Sequence, residues 1–123
     1  MPKARILVVD DDPVIREIME GLLCDDYDVT AAASGEEALT TAESLRPAVV
    51  LLDIVMPGID GYEACRRLRQ LDELAATKVI LVSGGVPSPE YLGGPPTGAD
   101  DFLLKPFDFA DLFSKIEGVL PPH

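Results

Sequence analysis

Five short apolar runs punctuate the chain, and polar or turn-forming residues follow each of them. Val49-Val50-Leu51-Leu52 has no polar alternation, which suits a strand buried on both faces of a parallel sheet. Arg5-Ile6-Leu7-Val8-Val9, the weaker Asp28-Val29-Thr30-Ala31-Ala32, Lys78-Val79-Ile80-Leu81-Val82 and Asp101-Phe102-Leu103-Leu104 read as four further strands. Between them the apolar residues recur with helical period. Val14, Ile15, Ile18, Met19, Leu22 and Leu23 form one stripe, expected to be buried. Ala38, Leu39, Ala42 and Leu45 form a second; Tyr62, Cys65, Leu68 and Leu71 a third; Leu112, Phe113, Ile116 and Val119 a last one. Cap residues agree with these limits. Asp12 precedes Pro13, Ser34 has the Ser-x-x-Glu spacing of a capping box, Asp60 and Asp108 stand before the third and last helices, and Pro47 stops the second.

Strands alternating with helices at these lengths predict an α/β fold: a doubly wound, five-stranded parallel sheet with right-handed crossovers. The 123 residues suffice for one core, so residues 1–123 are expected to form a single domain. In such a sheet every strand points its carboxyl end to the same edge, where ligands bind. Asp10, Asp11, Asp53, Ser83 and Lys105 should therefore gather there. Taken alone, Asp53 reads as an ordinary turn residue; the convergence is what marks it out.

Charge and composition narrow the function. A net charge of -12 argues against direct binding to nucleic acid or to an anionic membrane. No apolar run is long enough to span a bilayer and the N-terminus lacks the apolar core of a signal peptide, so a cytoplasmic protein is expected. Cys24 and Cys65 both fall in helical apolar patterns and are expected as buried free thiols. The one histidine, His123, is C-terminal, so a zinc site is not expected.

Carboxylates crowded at one edge repel, each pair at ~4 Å costing on the order of 4 kcal/mol at an effective dielectric near 20. A divalent cation relieves this, and an all-oxygen donor set with few carboxylates fits Mg²⁺. Lys105 suits a phosphoryl oxygen as a point charge. The Ser83 hydroxyl and the Gly84 backbone N–H can donate to an oxyanion. Together these groups describe phosphoryl transfer to an aspartate.

The sequence at this point resembles the receiver domain of two-component response regulators, over nearly its whole length. The resemblance rests on Ile6-Leu7-Val8-Val9-Asp10-Asp11-Asp12-Pro13, Leu52-Asp53-Ile54-Val55-Met56-Pro57-Gly58-Ile59-Asp60-Gly61, Val82-Ser83-Gly84 and Gly98-Ala99-Asp100-Asp101-Phe102-Leu103-Leu104-Lys105-Pro106-Phe107. It implies a flavodoxin-like strand order of 2-1-3-4-5 and a signalling switch rather than an enzyme. Asp53 would accept a phosphoryl group from a phosphohistidine of a sensor kinase or phosphotransfer protein. Asp11 and Asp53 would bind Mg²⁺ directly, Asp10 through water, and the Val55 carbonyl would complete the protein ligands. Lys105 would pair with the phosphoryl oxygens across a cis bond to Pro106. Ser83 would move toward the phosphoryl group and Phe102 would change rotamer with it, altering binding to a downstream effector or driving homodimerisation.

Residues 84–98 depart from the family, which has a fourth helix there. Four prolines and five glycines occupy this stretch, and each interior proline costs about 3 kcal/mol and each glycine about 1 relative to alanine. The expectation is a mobile loop in place of the helix, which puts the usual dimer face in question. Val55 and Gly85, two residues after Asp53 and Ser83, cannot orient an attacking water through a side chain, so a long-lived phospho-Asp53 is expected. An aspartyl phosphatase of the haloacid dehalogenase type would carry its nucleophile on the first strand with an acid two residues on. A flavin or dinucleotide module would carry a glycine-rich loop after strand one. Neither pattern is present. A phosphorylation-independent interaction module on the same fold is the remaining alternative.

Overall fold

The computed structural model describes residues 3–84 and 98–120. Its five strands are β1 (Arg5–Val9), β2 (Asp28–Ala32), β3 (Val49–Asp53), β4 (Lys78–Ser83) and β5 (Asp101–Leu104), and all pair in parallel in the order β2-β1-β3-β4-β5. This is the doubly wound arrangement expected from the sequence. Among the described residues four α-helices connect or flank the strands: α1 (Pro13–Leu23), α2 (Gly35–Leu45), α3 (Gly61–Leu68) and α4 (Phe109–Val119). A single 3-10 turn at Asp72–Leu74 precedes β4. The expected loop over residues 84–98, apart from Gly84 and Gly98 at its ends, lies outside the described residues, as does Gly85.

Strand parity divides the core in two. Leu7, Val9, Val50, Leu52, Val79 and Leu81 point to the face covered by α2 and α3, where Ala38, Ala42, Ala64, Cys65 and Leu68 meet them. Ile6, Val8, Val49, Leu51, Ile80, Val82 and Leu103 point to the other face, against Met19, Leu23, Leu112 and Ile116 of α1 and α4. Every residue of central β3 is buried, which is why its sequence shows no alternation. β3 pairs with β4 from Val49 opposite Lys78 onward. That register places Asp53 opposite Val82 at the carboxyl edge.

Each expected cap is made. Asp12 accepts from the Val14 N–H, Ser34 from Glu37, Asp60 from Glu63, and Asp108 from Asp111. The box at α2 is shifted by one residue: the Glu37 carboxylate takes the Ala33 N–H. Helix α2 ends in a left-handed Arg46 (φ 51°), a conformation imposed where the chain must turn into Pro47 and β3.

Two expectations on burial are corrected. In α1 the Ile15-Met19-Leu23 line faces the sheet, whereas Val14, Ile18 and Leu22 are 59%, 51% and 37% exposed. The apolar arc of α1 is wider than the sheet can cover, and the line one residue earlier is turned about 100° away. Cys24 is exposed rather than buried, because it caps α1 beyond the last covered turn; Cys65 is buried. Burial pushes the Cys65 thiol up to about 11. Leu71 also falls beyond the end of α3, which stops at Leu68.

Candidate functional site

Four strand ends build the site. Asp10 extends the β1 ladder by one step, its N–H donating to Ala32 O at 3.2 Å, before Asp12 opens α1. Asp53 is the last residue of β3, and Ile54 N–H continues the ladder to Val82 O at 3.0 Å. Ser83 closes β4 and holds the residue after β5 in place by accepting the Lys105 N–H at 2.7 Å. The Lys105–Pro106 peptide is cis.

The three expected acids converge. Carboxylate oxygens of Asp10, Asp11 and Asp53 lie within 4.8 Å of one another, with Asp10 and Asp53 buried and Asp11 exposed. Asp12 is diverted to the α1 cap. Lys105 Nζ stands 3.5 Å from Asp10 Oδ2 and 3.6 Å from Asp53 Oδ1, so one ammonium faces two carboxylates. Burial is the first cause that raises the Asp53 carboxyl above its ordinary value, and Asp10 is the second. Lys105 and a backbone hydrogen bond from Val55 pull it back, and Asp11 adds to the rise. Three acids against one adjacent ammonium leave the cluster short of positive charge. The donor set is all oxygen, which fits a hard divalent cation of the Mg²⁺ type.

The remaining expected residues sit on β4, on β5 and in the turn after β3. Ser83 is buried at the same sheet edge. Val55 is 76% exposed, immediately beyond Asp53. Phe102 is half-buried on β5 and packs against the α2–α3 core. Beside Lys105 a groove of about 450 Å³ runs along α1, lined by Ile15, Ile18, Leu22, Phe107 and Phe109 among others.

Two supporting residues were not legible in the sequence. Gly61 begins α3 directly over the end of β3, with its N–H bonded to Ile54 O at 2.8 Å; a Cβ there would lie 2.5 Å from Asp53 O. Arg16 of α1 reaches back to donate to the Asp10 carbonyl at 2.7 Å. Asp60 signalled the start of α3, but neither contact has a signature in local spacing.

The family model for the response regulator receiver domain matches residues 6–117. The chain belongs to the response regulator receiver family. As a receiver it is 40% identical over 119 residues to the transcriptional regulatory protein CseB of Streptomyces coelicolor, covering 96% of this chain and 50% of that protein. It spans about half the length of the curated relatives it matches. Among solved structures it resembles the chemotaxis protein CheY4 of Vibrio cholerae, with a TM-score of 0.89, 31% identity and coverage of 96% of this chain and 99% of that one. It also resembles the response regulator TrrA of Thermotoga maritima, determined in complex with Mg²⁺ and BeF, with a TM-score of 0.81, 36% identity and coverage of 95% and 99%. Receivers are phosphorylation-controlled signalling switches rather than enzymes in the ordinary sense, and their acidic pocket binds Mg²⁺. No helix among the described residues is long and apolar enough to cross a membrane.

Proposed function

We propose that this receiver accepts a phosphoryl group on Asp53 from a phosphohistidine of a sensor kinase or phosphotransfer protein, in a Mg²⁺-dependent reaction. The observation that carries the reading is the placement of Asp53: a buried carboxylate among Asp10, Asp11 and Lys105 at the carboxyl edge of the sheet. An Asp53 carboxylate oxygen attacks phosphorus as the P–N bond to the donor imidazole breaks, and the imidazole leaves with its electron pair. Lys105 then exchanges part of its pairing with Asp53 for the phosphoryl oxygens. A divalent cation held by Asp10, Asp11, Asp53 and the Val55 carbonyl would supply the charge neutralisation that this crowding of anions requires.

The arrangement favours a protein donor over an adventitious small one. Val14, Ile18 and Leu22 leave an uncovered apolar strip on α1, and Ile18 and Leu22 also line the groove that Lys105 borders. A donor presenting its histidine on an apolar helix face would bury that strip while reaching Asp53.

The output follows from Ser83 and Phe102. The Ser83 hydroxyl moves to donate to the phosphoryl group, vacating space into which Phe102 turns from its half-buried position. The surface of β5 thereby changes, and with it the affinity for a downstream effector. The relatives, about twice as long, are transcriptional regulators, so an effector of that kind, carried in the same or another chain and acting in the cytoplasm, is the expected recipient.

Incubation with a small acyl phosphate and Mg²⁺, read by intact mass, tests the acceptor. A single phosphoryl adduct should form on the wild type and be absent from Asp53→Ala. An adduct that survives this substitution would place the acceptor elsewhere.

A further inference from the structure

We propose that Arg16 is a positioning residue for the divalent cation, acting through the peptide that joins Asp10 to Asp11. The inference rests on the reading of the acid cluster given above. Asp10 is tethered at several points. Its N–H donates to Ala32 O, its Oδ1 accepts the Asp12 N–H at 2.9 Å, and its Oδ2 faces Lys105 Nζ at 3.5 Å. None of these contacts restrains the carbonyl. That carbonyl belongs to the Asp10–Asp11 peptide, and its partner is the Arg16 guanidinium at 2.7 Å.

The Asp10–Asp11 peptide is planar, so holding its oxygen, with the Asp10 N–H anchoring the peptide before it, restricts ψ of Asp10 and with it the direction in which the next residue leaves. Here the next residue is Asp11, the exposed member of the acid cluster. Arg16 therefore sets the angle between the two adjacent carboxylates. The choice of acceptor matters. A guanidinium bonded to one of the carboxylates would occupy an oxygen that the cation needs, as Lys105 already does in part. Bonded to the carbonyl, Arg16 leaves the carboxylate oxygens open. It is half-buried about one turn into α1, whose start is fixed by the Asp12 cap. The cap and the arginine thus clamp the β1–α1 turn from both ends. A metal ligand held from behind in this way usually owes about 10-fold or more in affinity to the group that holds it.

The direction of the effect separates this role from simple charge. A positive guanidinium near the cluster repels a cation, so removing it for through-space reasons alone tightens binding. Removing a positioning bond weakens it. Mg²⁺ affinity is therefore measured by calorimetry on the full chain, with no phosphodonor, for wild type, Arg16→Met and Arg16→Lys. Arg16→Met should weaken Mg²⁺ by about 10-fold, and Arg16→Lys, which can still donate to the carbonyl, should recover most of the loss. Amide exchange of Asp12 in the metal-free protein should quicken in Arg16→Met and return toward wild type in Arg16→Lys. Acyl-phosphate labelling should show a raised Mg²⁺ requirement for Arg16→Met with a near-normal rate at saturation. Unchanged or tighter Mg²⁺ binding by Arg16→Met would overturn the proposal, even if its melting temperature fell. A wild type that binds Mg²⁺ yet takes no phosphoryl group on Asp53 would sink the acceptor reading and leave the affinity comparison standing. Labelling of Asp53 with no dependence on Mg²⁺ would keep the acceptor and remove the metal from its reaction, while the calorimetric comparison would still decide the role of Arg16.

Discussion

Gly61→Ala tests how tightly the acceptor strand is joined to the helix that follows it. The added Cβ would meet Asp53 O at 2.5 Å, Ile54 Cα at 2.7 Å and Asp53 C at 3.0 Å, all backbone atoms that cannot swing aside. An ordinary contact begins near 3.4 Å, so β3 and α3 must separate by roughly an ångström, a displacement in the overpacking range of about 1–3 kcal/mol. The same separation breaks the Gly61 N–H bond to Ile54 O, worth about 1 kcal/mol. Together they predict a loss of about 2–4 kcal/mol. For a chain of 123 residues that is about 4 °C per kcal/mol, or a melting temperature about 8–16 °C lower. Gly21→Ala is the internal control. It lies inside α1 with nothing within 4 Å of its new methyl group, so it should gain about 1 kcal/mol from helix propensity. Thermal unfolding of both variants without metal, followed by far-UV circular dichroism, reads the two signs side by side. Mg²⁺ calorimetry on Gly61→Ala should also show weaker binding, since Asp53 and Val55 shift with the strand end. A melting temperature within about 2 °C of wild type for Gly61→Ala would refute the reasoning, as would an equal loss for Gly21→Ala.

Three further outcomes are expected. Asp53 has its carboxyl raised, first by burial and then by Asp10, so its stabilising contribution is intact below the unfolded-state value and lost as pH rises through the folded-state value. Asp53→Asn should therefore stabilise the metal-free protein at neutral pH, with the gain shrinking toward the ordinary carboxylate range. Mg²⁺ at 100 times its Kd should add about 2.7 kcal/mol to the wild type and far less to the variant; a gain independent of pH would contradict the assignment. Arg69 donates to Gly98 O, Thr77 O and the Asp100 carboxylate, which itself receives the Val79 N–H. Arg69→Met should cost about 2–4 kcal/mol in urea unfolding and speed amide exchange at Val79 and Asp100, and a change below 0.5 kcal/mol would show the clamp to be idle. Val55→Asn should shorten the lifetime of the phosphorylated protein severalfold, because an amide beside Asp53 can orient water where the valine cannot; an unchanged decay would remove Val55 from the account of that lifetime.

The apolar runs fixed the order of strands and helices because burial on two faces leaves no room for polar residues in β3 before Asp53 or for alternation in β1 and β4. Caps at Asp12, Ser34, Asp60 and Asp108 were equally readable, being local bonds between residues two or three apart. From parallel topology it followed that Asp10, Asp11, Asp53, Ser83 and Lys105 share one edge, since parallel strands end together. Sequence alone did not decide which side of a broad apolar arc faces inward. Val14, Ile18 and Leu22 are as hydrophobic as Ile15, Met19 and Leu23, and only the angle at which α1 meets the sheet leaves them outside. Nor did it reveal the close approach at Gly61, the clamp of Arg69 on Asp100, or the reach of Arg16 to the Asp10 carbonyl. Those contacts depend on the distance between backbones that packing sets. The acid at position 53 was therefore determined by the sequence, whereas the tension of its surroundings, with buried carboxylates sharing one lysine, was decided by the tertiary structure.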